Sequence, residues 1–145
     1  MGTTYTMPNI GLRQKLNWLA AAINTSNLVC ELFTAPTTLA DTQVAASFTR
    51  PTFPGYATKG LFGATVVGSS TSTIATLTSG FITFTQTATA PPQTIVGSLF
   101  QLSNGAVFDL LTAGLLPNGP QVMSQVGDSV VTQLTLTDQR APGQP

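Results

Sequence analysis

The stretch QTIVGSLFQLSNGAVFDLLT, residues 93–112, decides how the rest of this chain reads. Two apolar runs flank Asn104-Gly105, the strongest short-range signal for a β-hairpin. A type I′ turn needs positive φ at both central residues, which Asn tolerates and Gly adopts freely. The expectation is a hairpin in the middle of an antiparallel sheet, with the other strands laid around it.

Downstream, Gly114 to Gln121 carries Pro117, Gly119 and Pro120 and is expected to be a surface excursion. Gly127-Asp128 then opens a last strand. There Val130, Leu134 and Leu136 alternate with Ser129, Gln133, Thr135 and Thr137, a pattern with one face inward. Upstream, Thr73–Leu77 and Phe81–Gln86 flank Thr78-Ser79-Gly80 and read as a second hairpin with a three-residue loop. Tyr56–Gly63 reads as a strand and Ala64–Ser72 as a small-residue loop or weak strand. Ala46–Phe53 reads as a short edge strand broken by Pro51, and Pro54-Gly55 as a turn. From Asn27 the chain alternates, with Leu28, Cys30 and Leu32 on one face and Val29, Glu31 and Phe33 on the other.

The N-terminal part follows a different period. Residues 1–8 read as a flexible arm, and Asn9 can cap a helix that follows at once. Leu12, Leu16, Leu19 and Ile23 fall on one stripe, with Trp18 and Ala20 to Ala22 widening its apolar side. A helix over 9–24 is expected, packed either on an open sheet end or on a neighbouring subunit. Residues 139–145 read as a flexible tail. The fold class is therefore all-β, an antiparallel β-sandwich or jelly-roll-like domain over 9–138 with one N-terminal amphipathic helix.

Composition narrows the function. Five basic residues balance five acidic ones, and charged residues make up 7 % of the chain, far below the roughly 25 % of an average soluble domain. A chain with so little charge has little to keep its copies apart, which suits a subunit packed against neighbours. No basic cluster offers a footprint for nucleic acid. The longest apolar run, around Leu16 to Ile23, is well short of the about 20 residues that a membrane span needs.

Chemistry is sparse. With no histidine, the chain lacks the commonest general base and the commonest neutral metal ligand. The carboxylates Glu31, Asp41, Asp109, Asp128 and Asp138 are spread singly, and Asp41 and Asp128 sit where turns are expected. Cys30 is alone, which excludes an intramolecular disulfide, and its apolar neighbours predict a buried small side chain. No catalytic, cofactor-binding or metal-binding residue is assigned, and the chain reads as no enzyme. Two acids meeting in space, as in a glycosidase, are the rival reading from that class. Glu31 and Asp109 interrupt apolar strands. They read as solvent-facing acids, or as partners of Arg50, Lys59 or Arg140 of a neighbouring subunit.

Several pieces in order resemble a family of small virion proteins of tailed bacteriophages. They are the helix Gly11 to Leu19, the strand ending Glu31-Leu32-Phe33, and the loop with Leu39-Ala40-Asp41. Then come SFTRPTFPGYA (residues 47–57), FITFT (81–85), the Asn104-Gly105 hairpin and the closing strand from Gly127. The resemblance covers roughly residues 9–137 and implies a capsid decoration or cement subunit on the virion surface. It implies the major capsid protein or other virion proteins as partners, and a homo-oligomer, a trimer being one form. The Pro- and Gly-rich insert at Leu115 to Pro120 departs from the family pattern. Interface residues expected on this reading are Arg50, Phe53, Tyr56, Leu115 and Leu116. The alternative is a tail, baseplate or fibre component that binds neighbouring virion proteins or host-surface sugar. It would need an exposed aromatic cluster, for which Trp18 and Tyr56, both in apolar patterns, are poorly suited.

Overall fold

The computed structural model describes residues 16–21, 28–67, 74–104 and 107–139. Its strands, in chain order, are β1 (Leu28–Phe33), β2 (Lys59–Gly60), β3 (Thr65–Val67), β4 (Ile74–Thr78), β5 (Ile82–Thr85) and β6 (Gln93–Ile95). They continue with β7 (Gly97–Asn104), β8 (Val107–Leu115), β9 (Gln121–Met123), β10 (Ser129–Thr132) and β11 (Thr135–Gln139). Every pairing between them is antiparallel. One sheet has the order β2-β1-β7-β8. Facing it are β11-β4-β3 and β10-β5, while β6-β9 forms a short separate ladder. The fold is all-β and sandwich-like.

The hairpin expected at residues 93–112 forms as β7 and β8, closing on the pair Asn104 and Val107. Gly105 and Ala106, which connect them, lie outside the described residues, and so does the turn type expected there. Its place differs from the expectation: β7 is an inner strand, but β8 is the edge of its sheet. The register slips at Phe100/Gln101, where Phe100 opposes Thr112 and Gln101 opposes Leu110, so Leu111 is the extra residue of a bulge.

The second expected hairpin does not form. β4 pairs with β11 from Thr78↔Thr135, and β5 pairs with β10 from Ile82↔Thr132. Ser79, Gly80 and Phe81 thus oppose only Gln133 and Leu134, as a bulge in one long two-strand ladder. Burial records the slip. Ala75, Leu77 and Ser79 are buried before it, and Ile82, Phe84 and Gln86 after it, while Val130, Thr132 and Leu134 keep one parity. Ser79 satisfies the bulge where a turn would otherwise have been needed. Its N–H donates to the Leu134 carbonyl (2.9 Å), and its Oγ accepts the Leu134 N–H (3.0 Å). The Gln133 side-chain amide donates to the Ser79 carbonyl (2.7 Å).

The main core lies between the sheets. Leu28, Cys30, Leu32 and Phe100 from one side meet Leu77, Ile82, Phe84, Val130 and Leu134 from the other. Ser98 and Thr132 bridge the layers with a buried hydroxyl pair at 2.9 Å. A second, smaller core of Phe33, Phe48, Val96 and Leu99 covers the outer face of β1 and β7. It is closed by the segment after β1, whose Phe48 ring meets Phe33 edge-on at 4.8 Å.

That segment also corrects a reading. Ala46–Phe53 is not a strand: Ala45–Ser47 is a 3-10 turn, and a single bridge joins Ala35 to Thr49. Pro51 lacks a ladder donor, and the Arg50 guanidinium donates to the carbonyls of Ala45 and Phe48 in place of a strand partner. The strand expected at Tyr56–Gly63 shrinks to Lys59–Gly60. The reason is the turn at Phe53-Pro54-Gly55-Tyr56, with Gly55 at φ +88° and the Tyr56 N–H donating to the Phe53 carbonyl (3.0 Å). Tyr56 then replaces a strand at Leu32, accepting its N–H (3.1 Å) and donating to its carbonyl (3.4 Å).

Residues 16–21 are helical, and the remainder of the helix expected over 9–24 lies outside the described residues. Leu16 and Ala20 are buried in the main core and Leu19 packs at its margin, so the helical segment packs on its own domain. Trp18 does not widen the buried side, since it is 70 % exposed. The arm 1–8 lies outside the described residues, as does the chain beyond Gln139.

Candidate interaction surface

Of the five expected interface residues, Phe53 and Leu116 are buried in the domain's own core. Tyr56 is half-buried and packs between Phe53 and Phe84, with ring centroids at 5.3 and 5.8 Å. Arg50 is held within the chain, its Nε donating to Glu31 Oε2 at 2.9 Å. Leu115, by contrast, is 48 % exposed. The five therefore do not make one patch.

Glu31 is the centre of a latch. Its Oε1 accepts from Thr58 Oγ1 (2.8 Å), and its Oε2 accepts from Gln101 Nε2 (2.7 Å) as well as from Arg50. Strand β1 places Glu31 on the outer face, β7 places Gln101 beside it, and the segment 45–58 brings the other two donors over them. The charge in the apolar strand is thus met inside one chain, neither left in solvent nor offered to a neighbour. Lys59, the other expected partner, holds its Nζ 5.7 Å above the Phe84 ring. Arg140 and the side chain of Asp109 lie outside what is described.

Asp41, Asp128 and the thiol fit the turn and core roles expected of them. Asp128 Oδ2 accepts the backbone N–H groups of Ser124 and Gln125, both at 2.8 Å, which holds its carboxyl below the usual range. Burial, aided by nearby Glu31, pushes the Cys30 thiol up to about 12, so it is no thiolate nucleophile at neutral pH. Burial likewise pushes Tyr56 up to about 12. Both groups stay protonated in the fold after the unfolded chain has begun to lose their protons at 9.0 and 10.0, so stability falls as pH rises through those values. Urea unfolding should show a loss of about 1.4 kcal/mol per pH unit above the Cys30 onset, with a smaller share from Tyr56 because solvent reaches its hydroxyl and screens it. Cys30→Ala should flatten the part that begins near pH 9. An unchanged slope between pH 9 and 10 in that variant would contradict the assignment.

One side of the sandwich is closed by the chain itself. Residues 61–64 cross from β2 to β3, with the Leu61 N–H donating to the Leu28 carbonyl and the Gly80 N–H to the Phe62 carbonyl. The opposite side is open among the described residues. Among the described residues, β8 has one strand partner, β7, and the β10–β11 edge has only β5 and β4. Between these two edges runs a groove of about 550 Å³. The Ser98–Thr132 pair and Phe100 line it, with Leu115, Val131 and Phe81 on its walls. Those last three are 48, 50 and 67 % exposed, and no lining residue is charged. Sequence reasoning named Leu115 but missed Phe81 and Val131. The available signal was phase, because each is an apolar neighbour of a core residue, Ile82 and Val130.

Among the described residues, no three His, Cys, Asp or Glu side chains gather as a metal site would require, and no helix is long and apolar enough to cross a membrane. The groove offers shape, apolar area and two rows of backbone edge. Neither a family model, nor a curated protein, nor a solved structure matches this chain. What it does must be argued from this surface.

Proposed function

We propose that this chain is a non-enzymatic structural subunit of a virion, a capsid decoration or cement protein that works by packing against its neighbours. The observation that supports this best is the open side of the sandwich: an uncharged groove with apolar walls between two edge strands. Exposed edges pair readily with other chains unless charge, proline or a bulge protects them. Here the Leu111 bulge is such a device, whereas no charged residue lines the groove. Zero net charge removes repulsion between copies.

Sedimentation velocity tests the reading. The wild-type chain should form a reversible homo-oligomer at micromolar concentration. Leu115→Lys with Val131→Lys, placing like charges on both walls, should shift it to monomer while leaving its circular dichroism unchanged. A wild-type chain that stays monomeric and fails to bind purified capsids would overturn the proposal. Trp18, exposed against expectation, supports a second reading as a tail, baseplate or fibre component that holds a host-surface sugar. On that reading Trp18→Ala abolishes binding to host cells.

A further inference from the structure

We infer that β8 receives an extended segment of a neighbouring capsid protein as an added strand, whose alternate side chains enter two grooves flanking this edge. The inference rests on the assembly reading above and names what the open side binds. The first observation is length. Among the described residues, β2 has two residues, β3, β6 and β9 three each, β5 and β10 four, and β11 five, whereas the edge strand β8 has nine. A long strand edge is a template of N–H and C=O groups for another strand.

The second observation is the pair of grooves. A strand laid along β8 sends successive side chains to opposite faces of the sheet. On the inner face lies the groove of about 550 Å³ already described, and on the outer face lies another of about 330 Å³. Leu110 and Ala113 of β8 line the outer groove, with Leu39, Asp41 and Phe48 across from them. The third observation is charge. No lining residue of the inner groove is charged, and the outer groove has one charge, the exposed Asp41. The segment that fits therefore alternates. Val, Ile or Thr faces the inner groove, and Lys or Arg on the other side meets Asp41. The bulge at Leu111 selects the kind of occupant. It distorts the β8 edge against pairing with another rigid sheet, whereas a flexible segment can follow it.

Selection from a displayed library of random octapeptides, with the full chain as bait, tests this. The selected peptides should alternate, with uncharged β-formers at one parity and Lys or Arg at the other. Asp41→Lys as bait should exchange those basic residues for Asp or Glu, a change that general stickiness of the face would not produce. Against the wild-type consensus peptide, Asp41→Lys should bind about threefold more weakly, as suits a charge pair screened by solvent. The same peptide should slow amide exchange along β8 about tenfold and leave β3, at the far edge of the facing sheet, unchanged. Peptides without alternation, the same consensus from Asp41→Lys, or protection away from β8 would each overturn the inference. A chain that binds purified capsids but selects no alternating peptide would overturn strand addition alone. A chain that selects the consensus but fails to bind capsids would bear out strand addition and remove the assembly reading.

Discussion

Gly97→Ala should destabilise this protein by about 3 kcal/mol, the upper part of the range for overpacking a core. Gly97 sits in β7 directly opposite Phe33 of β1 and Leu115 of β8. A Cβ there would overlap the Gly114 carbonyl oxygen and the Phe33 ring, whose Cε1 would lie 2.7 Å away. Neither obstacle can withdraw easily. The carbonyl belongs to the β8 backbone, and the ring is wedged against Phe48 in the smaller core. The control is Gly114→Ala, where an added Cβ meets nothing within 4 Å. That variant should be neutral or slightly stabilised, since replacing glycine reduces the freedom of the unfolded chain. Urea midpoints measure both. Equal midpoints would show that the close approach of β7, β8 and Phe33 is wrong.

Glu31→Ala should cost about 2.5 kcal/mol, less than a fully buried ion pair because Arg50 and Glu31 keep partial contact with water. Three donors lose their acceptor at once: the Arg50 guanidinium, the Gln101 amide and the Thr58 hydroxyl. Gln101 is the most affected, because it is 3 % exposed and cannot turn to solvent. Glu31→Gln should fall between, since its carbonyl oxygen still accepts while its amide faces other donors. A double-mutant cycle with Arg50→Ala should return a coupling of about 1 kcal/mol or more. The segment 45–58 should also become cleavable by chymotrypsin after Phe48, which is buried in the wild-type chain, in Glu31→Ala. Additive free energies and unchanged proteolysis would mean the latch does not hold that segment.

The strands that the sequence reveals are those whose alternation is read locally. Leu28, Cys30 and Leu32 face the core as their spacing requires, and so do Val130 and Leu134. Pro54-Gly55 and Pro117 mark turns that form, because proline fixes its φ and glycine admits positive φ without help from distant residues. Thr78-Ser79-Gly80 misleads for the opposite reason. Its residues suit a turn, but Leu134 and Gln133, more than fifty positions away, satisfy Ser79 within a continuous ladder. Arg50 misleads similarly, since a side chain reaching back to Ala45 and Phe48 leaves no sequence pattern. Trp18 misleads because, within the described helical residues 16–21, it points away from the side on which Leu16 and Ala20 are buried.

The open side was less legible. Leu115 could be named from the proline-rich insert, but a groove exists only once two edges from different sheets face each other. β8 and β10 are separated in sequence by β9 and its flanking turns, and no local pattern states that both lack a second partner among the described residues. The out-of-phase Val131 and Phe81 are its trace in the sequence. Each breaks an alternation that is otherwise kept.

In the proposed role, this chain is a structural subunit of a capsid that meets its neighbours through the open side of the sandwich. Cryo-electron microscopy of the virion that encodes it tests this most directly. Density for the fold should repeat over the capsid lattice, with the β8 and β10–β11 edges turned toward adjoining subunits. Density confined to the tail, or no density on the particle at all, would contradict it.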